Sequence, residues 1–270
     1  MKIHGDYHKL MSKHLNEHFE IKIFGTSGKP LMVFPTSCGR FYDCEERGVI
    51  STLAPLIESK DIVVICVDSR DRQSWFKEPK DSWMGINHQK YEKCITEEII
   101  PWLHKFMGIN EKFITTGNSW GGYHALNFAL KFPKLFDSAI SLSGAYSLKM
   151  VIGEYYDDSV YFNDMLKYMP NLSDKDILQE LKNSYLVICH GKGSWELCNH
   201  DAWELAQILG LKQIPHCYSV WDERYPHDWN SWFEQLPFFM DKFKNGVDTA
   251  IGKKIIIGPK RIKQMLKITM

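Results

Sequence analysis

The stretch from Lys112 to Pro133, K-F-I-T-T-G-N-S-W-G-G-Y-H-A-L-N-F-A-L-K-F-P, leaves this chain few ways to fold. Phe113, Ile114, Thr115 and Thr116 read as a short strand, and the good helix formers after the turn run to Pro133, which ends them. Between the two, Gly117-Asn118-Ser119-Trp120-Gly121 must carry the backbone from strand into helix within a few residues. The five residues fit G-x-S-x-G, a pattern that sets a serine on a sharp strand-to-helix corner. Such a corner strains the serine backbone and brings the residues two before and two after it into contact, so Gly117 and Gly121 remove side chains that would collide. The serine hydroxyl is then held clear of the sheet at the positive end of a helix, where developing negative charge is stabilised. The plainer alternative is an ordinary turn with Ser119 as a helix N-cap.

The remaining chain repeats the strand-helix rhythm. E-I-K-I-F-G from Glu20 alternates, Thr26-Ser27-Gly28-Lys29 signals a turn, and L-M-V-F follows, which together suggest a hairpin into a buried strand. A helix is expected over 49–59, and D-I-V-V-I-C-V-D (61–68) is apolar enough for a strand buried on both faces. Residues 69–87 form a long polar and aromatic loop, and 88–106 an amphipathic helix that Pro101 kinks or bounds. After the central unit come a strand at 136–144 and an acidic, tyrosine-rich stretch, 145–183, read as an inserted helical segment or small lid. A strand at 185–190, a helix at 199–210, a strand at 214–221 and a helix at 229–244 complete the order. This alternation predicts an α/β fold, a mostly parallel central sheet with helices on both faces, in a single domain over 1–245. Residues 246–270 read as a basic tail of unknown role, with six Lys or Arg and no acid after Thr249.

Composition narrows the classes of partner. Lys+Arg and Asp+Glu each number 33, so net charge gives no reason to expect nucleic acid or an anionic membrane. No apolar run suggests a signal peptide or a membrane span. The seven cysteines are scattered without a C-x-x-C pair, which fits reduced thiols and a cytoplasmic setting. The histidines at 4, 8, 14 and 18 have roughly helical spacing but no carboxylate or cysteine completing a ligand set, so no metal is expected, and no cofactor. Homo-oligomerisation is left open.

An exposed serine becomes a nucleophile when a base, an orienting acid and an oxyanion hole surround it. In the α/β-hydrolase arrangement these follow in the order Ser, acid, His. Of the eleven histidines only His227 follows the last strand, whereas His124 lies on the helix after the corner, His190 precedes the acid loop and His216 enters its strand from the wrong end. Glu196, six residues past the strand at 185–190, is the first choice of acid, with Asp201 as alternative; Asp222 and Asp228 would leave the preceding loop without a role. The oxyanion hole calls for the N–H of Trp120 and a second donor after the strand at 31–34, from Ser37 or Cys38. Cys38, Trp195 and Asn118 are expected to touch substrate, and Trp75, Trp83, Trp120, Tyr155, Tyr156 and Trp195 are candidates to line its pocket.

Six segments carry a wider likeness: G-K-P-L-M-V-F-P-T-S-C-G-R-F-Y, the strand ending C-V-D-S, Y-E-K-C-I-T-E-E-I-I-P-W, T-T-G-N-S-W-G-G-Y-H-A-L-N-F-A, H-G-K-G-S-W-E, and H-D-W-N-S-W-F-E-Q-L-P-F-F. In this order, over about residues 19–240, the chain resembles the putative esterase (esterase-D-like) family of α/β-hydrolases, which also takes in mycolyltransferases and feruloyl esterases, and most of all a bacterial branch of short esterases. The resemblance implies a serine esterase in which Ser119, Glu196 and His227 fall on the triad positions, and it favours Glu196 over Asp201. The expected function is hydrolysis of a small or medium carboxylic ester through an acyl-enzyme. Two alternatives stand beside it, an acyltransferase using the same acyl-enzyme and a catalytically silent binding or scaffold protein.

Overall fold

The computed structural model describes residues 3–244. Eight strands, β1 (Asp6–Ser12), β2 (Glu17–Phe24), β3 (Lys29–Phe34), β4 (Ile62–Val67), β5 (Phe113–Asn118), β6 (Phe136–Leu142), β7 (Tyr185–His190) and β8 (His216–Val220), form one sheet in the order 1-2-4-3-5-6-7-8. From β4 to β8 every pairing is parallel; β2 runs antiparallel to both β1 and β4. The tail 246–270 lies outside the described residues.

Burial on both faces explains the apolar strands. Along β3, Met32 and Phe34 join the core on one face while Leu31 and Val33 join the other, the period-two alternation of a covered sheet. All six residues of β4, and all six of β5, are buried.

The expected hairpin between 20–24 and the strand at 31–34 does not form. β2 instead pairs with β1, in a register running from Asp6–Ile23 to Ser12–Glu17, and β4 lies between β2 and β3. A fully apolar strand gains most from a position with neighbours on both sides, and β4 takes it. The first histidines accordingly sit on and around a β-hairpin, where His8 packs against Trp102 and Phe106.

Helices cover both faces. After the short α1 (Asp43–Glu46) and α2 (Val49–Glu58), α3 (Trp83–Lys93) continues through a π-helical segment, Cys94–Ile99, into α4 (Ile100–Met107). Pro101, expected to kink or bound this helix, stands at the start of α4. With no N–H to donate and its ring against the preceding turn, proline favours the widened ladder ahead of it. Helix α5 (Trp120–Lys131) is buried from Trp120 to Leu130. The 145–183 stretch holds four short helices, α6 (Lys149–Ile152), α7 (Asp158–Tyr161), α8 (Met165–Asn171) and α9 (Lys175–Leu181). Its acidic character has a local cause, since Asp157, Asp164 and Asp174 each cap a helix N-terminus through the side chain. The segment docks on α5, with Lys131 Nζ 2.7 Å from Asn163 Oδ1 and the Tyr168 hydroxyl 3.0 Å from Asn127 Oδ1. Helices α10 (Asn199–Leu211) and α11 (Trp229–Lys244) complete the layers. No helix among the described residues is long and apolar enough to cross a membrane.

Candidate active site

Four non-glycine residues with left-handed backbone stand just beyond the C-terminal ends of neighbouring parallel strands: Cys38 after β3 (φ 57°), Ser119 after β5 (φ 57°), Ser143 after β6 (φ 50°) and Trp195 after β7 (φ 66°). Side chains rarely adopt this conformation, and strain gathered at one sheet edge marks a place where groups are aimed rather than merely packed. In open α/β sheets this carboxyl edge is where ligands bind.

Ser119 occupies the corner between β5 and α5, with ψ −123° and its N–H 2.9 Å from the Leu142 carbonyl. The two flanking glycines are required by close approach. A Cβ on Gly117 would lie 2.4 Å from the Gly121 backbone, and one on Gly121 would lie 2.4 Å from the Phe34 carbonyl oxygen. Trp120 opens α5, so its N–H is among the helix-start donors without an intrahelical acceptor. Among the described residues the Ser119 hydroxyl makes no hydrogen bond.

Glu196 and His227 meet over the same edge. Glu196 Oε2 lies 3.5 Å from His227 Nδ1, and the carboxylate is almost wholly enclosed, with 3% of the side chain exposed against 25% for His227. Its other oxygen accepts from the Ser143 hydroxyl at 2.6 Å and the Gly191 N–H at 3.0 Å. Ser143 in turn accepts from Trp232 Nε1 at 3.1 Å, and the Trp232 ring stands edge-on to the His227 ring with centroids 5.1 Å apart. The G-x-G of the acid loop allows this meeting: a Cβ on Gly191 would lie 1.7 Å from the Tyr225 carbonyl, and one on Gly193 would lie 2.6 Å from Pro226 N. The His227 N–H donates to the Ser194 carbonyl at 2.9 Å, which ties the two loops together.

The alternatives weighed from sequence lie in other surroundings. Asp201 sits in the first turn of α10, where burial raises its carboxyl above the usual range. Asp222 pairs with Arg224, and Asp228 accepts from the N–H of Trp229 at the head of α11. His190 is buried between the Tyr218 hydroxyl and the Gly191 carbonyl, and that burial lowers its pKa.

The two residues after β3 expected as a second donor differ in what their N–H groups meet. Cys38 N–H is already given to Asp71 Oδ2 at 2.9 Å. Ser37, exposed, has no acceptor for its N–H among the described residues. Burial and the Asp71 carboxylate push the Cys38 thiol up. A polar cavity of about 320 Å³ lies beside this loop, lined by Cys38, Arg40, Arg70, Asp71 and Arg72 among others; Ser119 is not part of its wall. Asn118 is buried and lines a smaller pocket with Thr36, Gly117 and Trp229. Of the candidate pocket aromatics, Trp75 is fully buried and Trp120 nearly so, whereas Trp195 is 77% exposed. Trp75 belongs to the core, packed against His88, because the long loop folds inward there. Sequence reasoning missed Ser143, Trp232 and Asp71, which lie far along the chain from the groups they hold.

A family model described as "Putative esterase" matches residues 45–238 of the chain. No curated protein matches the sequence significantly. Among solved structures, a ferulic acid esterase superposes with a TM-score of 0.69 at 18% identity, covering 87% of this chain and 96% of its own. An S-formylglutathione hydrolase from Agrobacterium tumefaciens follows at 0.67 and 15% identity, covering 91% and 98%. The serine hydrolase FphF of Staphylococcus aureus gives 0.66 at 18% identity, covering 88% and 97%. At these identities the structural likeness establishes the α/β-hydrolase fold.

Proposed function

Because the chain belongs to the putative esterase family and is a serine esterase on an α/β-hydrolase fold, we propose that Ser119, His227 and Glu196 form its catalytic triad and act on a small or medium acyl ester. The observation that carries this reading is the enclosed Glu196 carboxylate against His227 Nδ1 at 3.5 Å, on the strand edge that also presents Ser119.

In this scheme the Ser119 hydroxyl attacks the ester carbonyl and His227 Nε2 takes its proton. Glu196, accepting from Nδ1–H, fixes the tautomer that leaves Nε2 free to accept and stabilises the imidazolium once formed. The contact is long for a hydrogen bond, and catalytic contacts of this kind commonly shorten in the substrate complex. The tetrahedral oxyanion sits between the N–H groups of Trp120 and Ser37, each such donor contributing about 3 kcal/mol in comparable sites. His227 then gives its proton to the leaving alcohol, and water repeats the cycle on the acyl-enzyme. Trp195, Cys38 and Asn118 are the proposed substrate contacts. An alcohol in place of water in the second half would make the same site an acyltransferase. The free cysteines fit action in the cytoplasm.

The test is a panel of activated esters of graded acyl length with wild type and Ser119→Ala. Turnover that peaks at short or medium acyl length and vanishes in the folded variant supports the reading; turnover retained by the variant contradicts it.

A further inference from the structure

Asp71 is one of the buried charges that the described active-site groups do not use. Asp71, in the long loop after β4, has no exposed side-chain surface, and neither has His124 on α5. Asp71 Oδ1 accepts from His124 Nε2 at 2.8 Å, and Oδ2 accepts from the Cys38 N–H at 2.9 Å. A carboxylate is costly to bury, so one held in this way without solvent is fixed by its two donors and fixes them in return.

Both donors belong to elements that frame Ser119. His124 lies five residues after the nucleophile, on the helix whose first N–H groups lack intrahelical acceptors. Cys38 lies in the turn after β3, which Gly39 N–H closes onto the Thr36 carbonyl at 2.8 Å. With φ 57°, Cys38 takes the left-handed value that the third position of a type II turn requires, a position glycine normally fills. The central peptide, Ser37–Cys38, is what differs between a type II turn and the commoner type I: its N–H points in opposite directions in the two. The Asp71 carboxylate therefore holds that peptide in the less common orientation against the strain at Cys38. It also ties the turn carrying Ser37 to the helix carrying Trp120.

We propose that Asp71 is a positioning residue that sets the oxyanion hole, fixing the Ser37 donor relative to the Trp120 donor by bridging the Cys38 N–H to His124. The inference rests on the catalytic reading above. Without the bridge the Ser37–Cys38 peptide relaxes toward the type I orientation and the turn is no longer tied to α5, so the Ser37 N–H, on the preceding peptide, loses its fixed position relative to the Trp120 N–H. Binding of uncharged substrate is little affected, because the donors matter most when the oxyanion forms.

The test compares wild type with Asp71→Asn, which keeps side-chain volume but removes the charge that both donors face. Active sites are first counted by fluorophosphonate titration. Turnover of an activated ester per titrated site, its KM, and inhibition by an aryl trifluoromethyl ketone, whose hemiketal mimics the oxyanion, are then measured. The expected result is a fall of about tenfold to a hundredfold in turnover per site, a parallel loss of ketone affinity, and a KM within about threefold of wild type. A residue that merely stabilised the fold would lower the number of titratable sites and leave both per-site values unchanged, and that result overturns the proposal. If Asp71→Asn yields no folded protein, His124→Asn, which removes one anchor and leaves the carboxylate, is read in the same way. Wild type that is not labelled at Ser119 would defeat the catalytic reading itself; labelled wild type with unchanged per-site values in the variant would defeat only the role of Asp71.

Discussion

Glu196 and His227 approach to 3.5 Å across two loops whose backbones touch, and the carboxylate oxygen turned away from His227 is held by Ser143 and Gly191. The acid is thus fixed on one side and presented on the other. Glu196→Gln keeps the shape but can leave the wrong His227 nitrogen protonated. In comparable triads that change costs about 10⁴-fold in kcat. A loss of about 10²- to 10⁴-fold is expected here, with an unchanged melting temperature; wild-type turnover in folded Glu196→Gln would remove the acid from the scheme.

Ser143 is the support behind that acid. Ser143→Ala takes one donor from Glu196 and leaves Trp232 Nε1 buried without an acceptor, where it bonds at 3.1 Å now. An unsatisfied buried donor costs about 1–3 kcal/mol. Stability measured by urea denaturation should fall by that amount and activity by about tenfold. Trp232→Phe removes the donor itself, so it should spare more of the activity than Ser143→Ala; the reverse order would contradict the arrangement.

The corner at Ser119 tolerates no side chain at its flanks. Gly117→Ala puts a Cβ 2.4 Å from the Gly121 backbone, and backbone cannot swing aside as a side chain can. Overpacking of this kind costs about 1–3 kcal/mol. The expected outcome is a destabilisation in that range or above, together with loss of activity. A variant as stable and active as wild type would show that the corner is looser than described.

Burial lowers the pKa of His88, His190 and His216. Each therefore binds a proton less readily folded than unfolded. Below about pH 6.5 the unfolded chain takes up protons that the native protein does not, and stability present at pH 7.5 is lost as pH falls, by at most about 1.4 kcal/mol per pH unit for each histidine. Asp164 and Asp201, raised by burial, act in the opposite sense starting from the lower carboxylate range. Unfolding free energy from denaturant titrations should drop between pH 7.5 and 5.5; a flat or rising value would contradict the burial of these rings as neutral groups.

What could be read from sequence was what local chemistry or chain order encodes. The corner at 117–121 is local: two glycines and a serine between a strand pattern and a helix pattern admit few geometries. The proximity of Glu196 and His227 followed from order along the chain. Sheet pairing was less accessible, because β2 and β3 are adjacent in sequence and both apolar, while the strand that separates them, β4, begins 28 residues after β3 ends. The supports were least accessible. Ser143 and Glu196 are 53 residues apart, as are Asp71 and His124. Nothing in a single sequence pairs a helix histidine with an aspartate in a long loop. That the Cys38 N–H is already occupied also needed three dimensions, since its acceptor Asp71 lies 33 residues away.

Ester hydrolysis by this site requires Ser119 to be the activated nucleophile. Incubation of folded protein with a fluorophosphonate probe, followed by intact-mass measurement and peptide mapping, tests this directly. One adduct per chain, mapped to Ser119 and absent from Ser119→Ala, is the predicted result. Folded wild-type protein that takes up no probe, or carries it on another serine, would contradict the account.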